Sequence, residues 1–115
     1  MAISADVLRS YRSIDEKVVD KLLAQEIKNN NKKIVVLDDD PTGVQTVHDI
    51  SVYTGWDADS LREAFAEENN LFYILTNSRG FTEEQTKAAH LEIADAVDRA
   101  AKEASRDYIL SLIHI

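Results

Sequence analysis

The feature that most constrains the fold is a short apolar run that ends in three aspartates, within residues 34–49, IVVLDDDPTGVQTVHD. Four apolar residues, most of them β-branched, precede the aspartates, and a Pro-Thr-Gly turn follows. An apolar run bounded by turn residues is typical of a buried strand that ends in a loop. Three adjacent carboxylates repel one another, so the loop is either a solvated turn or one whose charge a metal ion or bound donors offset.

The remainder of the chain alternates between helical and strand patterns. Ser13 with Glu16 and Thr82 with Gln85 fit capping boxes, and Asp57 fits a helix N-cap. Because strands alternate with helices, the pattern predicts an α/β fold, three-layered and Rossmann-like, with a mostly parallel sheet. The predicted helices cover residues 4–12, 14–28, about 58–68 and about 83–104, and the predicted strands cover residues 33–38, 49–54, 71–76 and 107–112.

Two loops are predicted to share one rim of this sheet. Ligands of parallel sheets bind beyond the carboxyl ends of the strands, where residues 38–43 and 77–80 would lie together. Ionised carboxylates accept hydrogen bonds from hydroxyls or hold Mg²⁺, while Arg79 suits a carboxylate or a phosphate. The rim therefore predicts a site for a small, anionic, hydroxylated ligand. No metal site is assigned, because His48 has no second ligand at metal spacing and His90 is expected to face solvent.

The charge and the composition of the chain exclude several classes of binding partner and of metal site. The net charge of −8 argues against nucleic acid and against an anionic membrane surface, since such binding rests on Lys and Arg. The absence of cysteine leaves neither a disulfide framework nor a thiolate metal site. The chain starts without a signal-like apolar segment, so a cytoplasmic location is predicted. The oligomeric state has no signature in the sequence.

The rim resembles a first family, the haloacid-dehalogenase-like phosphatases. Asp38, Asp40 and Thr42 stand in the D-x-D-x-T pattern that follows an apolar strand in that family, and Thr76-Asn77 could be its second motif. The resemblance implies a Mg²⁺-dependent phosphatase in which Asp38 is the nucleophile and Asp40 the acid/base.

A longer resemblance is to the N-terminal, sugar-binding domain of the four-carbon acid sugar kinase family. Residues 35–56 and 73–82 both resemble it closely, through a D-D-x-T-G motif after the first strand and a Ser-Arg pair after the third. Several adjacent motifs agree, so we favour this interpretation over the phosphatase. The substrate-binding residues that it implies are Asp39, Asp40, Thr42, Gly43, Ser78 and Arg79.

The kinase resemblance implies ATP-dependent phosphorylation of a four-carbon sugar acid, such as threonate, erythronate or an oxo-tetronate. ATP and Mg²⁺ would be cofactors of the full-length enzyme, with ATP held by a second, C-terminal domain. The chain contains neither G-x-x-x-x-G-K-[ST] nor G-x-G-x-x-G, so the nucleotide site is expected to lie outside it. The resemblance assigns no catalytic residue to this chain.

The end of the chain departs from the family pattern. The fourth strand runs into Ser-Leu-Ile-His-Ile, where the family continues with a different sugar-site motif. We therefore expect residues 1–110 to be the N-terminal part of the sugar-binding domain and residues 111–115 to be a non-native tail. The sheet would then be incomplete at its C-terminal end and the chain inactive by itself. A binding module without chemistry would also explain a short chain, but it leaves the clustered rim residues without a role.

Overall fold

The computed structural model describes residues 4–113 and divides the chain into two units, Met1–Asn30 and Asn31–Ile115. The first unit contains a 3-10 helix, Ala5–Ser10, and helix α1, Glu16–Asn29. The second contains strands β1, Lys33–Asp38, β2, Val52–Tyr53, β3, Leu71–Leu75, and β4, Tyr108–Ile113, with helices α2, Ala58–Ala66, and α3, Glu83–Glu103.

Helix α1 begins two residues later than predicted. Its N-cap is Asp15, whose carboxylate accepts hydrogen bonds from the backbone N–H groups of Lys17 at 3.1 Å and Val18 at 3.4 Å. The predicted capping box of Ser13 with Glu16 is therefore wrong. An aspartate at the N-cap supplies both the acceptor and a negative charge at the positive end of the helix.

The second unit is a parallel sheet in the order β2-β3-β1-β4. Helix α2 connects β2 to β3, and α3 connects β3 to β4. The predicted α/β fold with a parallel sheet is confirmed. The predicted strand over residues 49–54 is shorter and covers only Val52–Tyr53. Asp49 has a left-handed backbone, with φ of 56°, which excludes this residue from an extended strand.

The core lies on one face of the sheet, beneath α2 and α3. Alternate residues of β1 and β3 point to this face, as the period of two along a strand requires. Phe72 is completely buried at its centre, with the Phe65 ring 5.5 Å away and the Tyr53 ring 5.8 Å away, both edge-to-face. The buried members of the core are Val35, Leu37, Leu61, Ala64, Phe65, Phe72, Ile74, Ile93, Val97, Ala100 and Ala101.

A buried lysine lies at the opposite end of β1 from the aspartates. The ammonium of Lys33 donates hydrogen bonds to the carbonyl of Glu67, at 2.7 Å, and to that of Asn69. Burial lowers the pKa of Lys33 below its ordinary value, with the positive charge of Arg106 as the second cause. This contact joins the start of β1 to the end of α2, so the amino end of the strand is anchored well away from the rim.

Both predicted caps of the second unit are confirmed. Asp57 caps α2, and its hydrogen bonds with Ser60 lower the pKa of its carboxyl group. Thr82 and Gln85 form the capping box of α3, with bonds of 2.9 and 3.3 Å. Within residues 4–113, no helix combines the length and the apolar character that crossing a membrane requires.

Replacing Thr82 with alanine should lower the free energy of unfolding by about 1 kcal/mol, because the first turn of α3 loses its side-chain acceptor. Urea denaturation of the purified chain measures this change. Thr82→Ser keeps the hydroxyl and should stay within about 0.5 kcal/mol of the wild type. Equal losses in both variants would show that the hydroxyl does not cap the helix.

The predicted tail falls partly outside the structure. The described residues 111–113 belong to β4, where Leu112 pairs with Leu37 in parallel register. His114 and Ile115 lie outside the described residues. The boundary at residue 110 and the non-native origin of residues 111–115 stay predictions.

Candidate functional site

The two predicted rim loops meet at the carboxyl ends of β1 and β3. These strands are paired neighbours, with Asp38 opposite Leu75. Main-chain hydrogen bonds then join the loops themselves, from Thr76 N–H to the carbonyl of Asp38 at 2.8 Å and from Arg79 N–H to the carbonyl of Asp39 at 3.2 Å. The aspartate loop and the Ser-Arg loop are therefore held at a fixed spacing by their backbones.

Asp40 organises the aspartate loop from within. Its Oδ1 accepts hydrogen bonds from Thr42 N–H at 2.8 Å and from the Thr42 hydroxyl at 2.6 Å. Its Oδ2 accepts from Nη1 of Arg79 at 2.6 Å, and Nη2 of Arg79 lies 3.8 Å from Oδ1 of Asp39. The repulsion among the carboxylates is therefore offset by the guanidinium of Arg79 together with these donors.

The other two aspartates each keep one buried oxygen without a hydrogen-bond partner, Oδ2 of Asp38 and Oδ1 of Asp39. Asp38 is 0% exposed, and its Oδ1 accepts a hydrogen bond from Asp40 N–H at 3.1 Å. A buried acceptor without a donor costs stability. Asp39 also borders a cavity.

Gly43 packs directly against the buried Asp38. A Cβ atom at this position would lie 2.2 Å from Oδ2 of Asp38, and no glycine has a positive φ. The glycine is therefore required by the space beside the carboxylate rather than by an unusual backbone conformation. Gly43 N–H also donates to the carbonyl of Asp40 at 3.0 Å, which closes the turn.

A cavity of about 210 Å³ opens beside the rim, between the loops and α3. Of the six predicted substrate-binding residues, Asp39, Ser78 and Arg79 line it. Asp40, Thr42 and Gly43 instead shape the loop that holds Asp39 and Arg79 in place. The polar side chains around the cavity are Asp39, Thr76, Ser78, Arg79, Thr86 and His90.

The hydroxyls of Thr76 and Ser78 form a directed pair in the cavity wall. Thr76 Oγ1 donates to the carbonyl of Asp38 at 3.1 Å and lies 2.8 Å from Ser78 Oγ. Either hydroxyl can be the donor of this pair. When Thr76 donates to the carbonyl, Ser78 donates to Thr76, and the nearly buried Ser78 hydroxyl keeps a lone pair that can accept a hydrogen bond.

Thr86 and His90 of α3 line the cavity but were not assigned to the site from the sequence. The expectation that His90 faces solvent is wrong, since it is partly buried at the cavity wall. The sequence contains a signal for both residues. Residues four apart on a helix share a face, and Thr86 and His90 lie near the start of α3, shortly after the Ser-Arg loop. Phe81, between the loop and the helix, also borders the cavity.

The geometry does not fit the phosphatase interpretation. Its nucleophile would be Asp38, which is completely buried beneath Gly43 and does not line the cavity. Its acid/base would be Asp40, whose two oxygens already accept bonds from Thr42 and Arg79. Among residues 4–113, no group of three or more His, Asp or Glu side chains is placed to hold a metal ion.

Comparison with protein-family models matches residues 34–112 to a family described as the sugar-binding N-terminal domain. The matched segment contains both rim loops, α3 and every residue that lines the cavity except Ile113. Comparisons with curated proteins and with solved structures gave no match.

Proposed function

This chain belongs to the family of sugar-binding N-terminal domains, and we propose that it is the substrate-binding part of an ATP-dependent kinase for a four-carbon sugar acid. Threonate, erythronate and oxo-tetronate are the candidate acids. In this proposal the chain binds and orients the acid, and it carries out no phosphoryl transfer by itself.

The observation that carries the proposal is that a cationic side chain, Arg79, and two hydrogen-bond acceptors, Asp39 and Ser78, line the same small cavity. The side chain of Arg79 is 51% exposed, with Nη1 bonded to Asp40 and Nη2 3.8 Å from Asp39. The N–H donors that it does not use on these two carboxylates can bind a ligand carboxylate. The carboxylate of Asp39 and the hydroxyl of Ser78, which both belong to the cavity lining, can accept hydrogen bonds from sugar hydroxyls. A carboxylate next to several hydroxyls is the chemistry of a sugar acid.

The size of the cavity favours the acid over a nucleotide. Sites for drug-sized ligands occupy about 300–1,000 Å³, whereas this cavity measures about 210 Å³. ATP and Mg²⁺ remain part of the proposal for the full-length enzyme only. Among residues 4–113 no group of three or more His, Asp or Glu side chains is placed to hold a metal ion, and the sequence contains neither of the two glycine-rich nucleotide motifs.

Calorimetric titration of the purified chain tests the proposal. Threonate or erythronate should bind, while threitol, which lacks the carboxylate, and succinate, which lacks the hydroxyls, should each bind at least tenfold more weakly. Threitol that binds as tightly as threonate would refute the role of Arg79 as the carboxylate receptor, and failure of every four-carbon sugar acid would refute the proposed function.

Arg79→Lys should weaken threonate binding by about tenfold or more, because an ammonium cannot make two parallel bonds to a carboxylate while keeping Asp40 in place. The same titration measures the change. Arg62→Lys is the matched control, since Arg62 pairs with Asp59 at 2.6 Å on the exposed side of α2. Equal affinities in Arg79→Lys and the wild type would contradict the prediction.

A further inference from the structure

Helix α3 presents two polar side chains to the same cavity as the rim loops. Thr86 and His90 lie one turn apart and both line the cavity. The helix is held in place by its capping box at one end and by Ile93 and Val97, both completely buried, further along. The two side chains are therefore carried by a rigid element that is separate from the loop that carries Arg79.

Neither side chain is engaged elsewhere in the protein. Within residues 4–113, no hydrogen bond or ion pair involves the imidazole of His90 or the hydroxyl of Thr86. Both residues are partly buried and line the cavity. Their polar groups are therefore available to a ligand that occupies it.

The two sides of the cavity differ in chemistry. The loop side carries the guanidinium of Arg79 with the acceptors of Asp39 and Ser78, which suits a carboxylate and the hydroxyl next to it. The helix side carries a hydroxyl and an imidazole, and the almost completely buried Leu37 adds an apolar side chain to the lining. A short acid that bears a polar group on every carbon needs partners on both sides.

Building on the proposed function, we propose that His90, supported by Thr86, binds the hydroxyl group of the sugar acid that lies farthest from its carboxylate. A neutral imidazole has one donor and one acceptor, so it can bind a hydroxyl in either orientation. His90 thereby acts as a specificity-determining residue that distinguishes acids by chain length and by the configuration of the remote carbons.

The test compares acids that possess the remote hydroxyl with acids that lack it. His90→Leu should weaken binding of threonate by about tenfold, the cost of an unpaired hydroxyl, and should change the affinity for glycerate and glycolate by less than twofold. Thr86→Val should weaken threonate in the same selective way by a smaller factor. His48→Leu is the matched control, because the side chain of His48 is 92% exposed in a loop that does not line the cavity.

The outcomes separate the inference from the function on which it rests. If His90→Leu weakens threonate, glycerate and glycolate equally, His90 binds the carboxylate and the inference is overturned. An unchanged affinity for threonate in both helix variants also overturns it while the proposed function stands. A wild-type chain that binds none of the acids overturns both. Circular dichroism establishes whether each variant is folded. If His90→Leu does not fold, the selective loss of threonate binding in Thr86→Val tests the inference instead.

Discussion

Replacing Gly43 with alanine should lower the free energy of unfolding by about 3 kcal/mol and, under the proposed function, remove the binding of threonate at the rim. The new Cβ would lie 2.2 Å from Oδ2 and 2.6 Å from Cγ of Asp38. Because Asp38 is completely buried, its carboxylate cannot move aside without displacing the aspartate loop. Urea denaturation measures the loss of stability, and titration with threonate measures the loss of binding.

Two controls identify the cause. Gly80→Ala, in the neighbouring rim loop, adds a Cβ with no atom within 4 Å and should change stability by less than about 0.5 kcal/mol. The double variant Gly43→Ala with Asp38→Ala should be more stable than the sum of the two single losses predicts, because the clash has been removed. Strict additivity would show that the cost of Gly43→Ala has a different origin.

Replacing Phe72 with alanine should lower the free energy of unfolding by about 4 kcal/mol. Phe72 is 0% exposed and touches two other rings edge-to-face, at centroid distances of 5.5 and 5.8 Å. Such ring pairs add about 0.5–1.5 kcal/mol each beyond the area that they bury. Since domains of this size have total stabilities of about 5–15 kcal/mol, a large share of the variant should be unfolded at 37 °C, as near-UV circular dichroism would reveal.

Phe81→Ala provides the comparison for the core variant. The side chain of Phe81 is 43% exposed and borders the cavity instead of the core. Its truncation should cost less than about 1 kcal/mol of stability and should act mainly on ligand affinity. A loss of stability as large as that of Phe72→Ala would contradict the assignment of these two rings to different parts of the molecule.

The sheet and the long helix could be predicted because their signals are local. An apolar run followed by turn residues suffices for β1, and the pair of Thr82 with Gln85 suffices for the start of α3. The shortening of β2 could not be predicted, because alternation gives no warning that Asp49 adopts a left-handed backbone. The start of α1 was misjudged for a related reason, since Ser13 and Asp15 are both good N-caps and only one can act.

The site residues that lie in the two rim loops were predicted from the sequence, whereas those on α3 were not. Asp39, Ser78 and Arg79 follow strand ends and were assigned to the rim, which the structure brings together. His90 was not assigned, because its place at the cavity depends on how α3 packs over the end of the sheet. The burial of Asp38 beneath Gly43 depends likewise on how the loop packs. Three adjacent residues of the same type therefore have three different environments.

The two rim loops are joined by peptide groups, from Thr76 to Asp38 and from Arg79 to Asp39. Peptide groups are the same whatever side chain they carry, so these bonds survive most substitutions at the positions that form them. The spacing of the loops is thus insulated from changes in the side chains that line the cavity. Over evolutionary time, point mutations can alter the lining of such a cavity while the architecture around it stays intact.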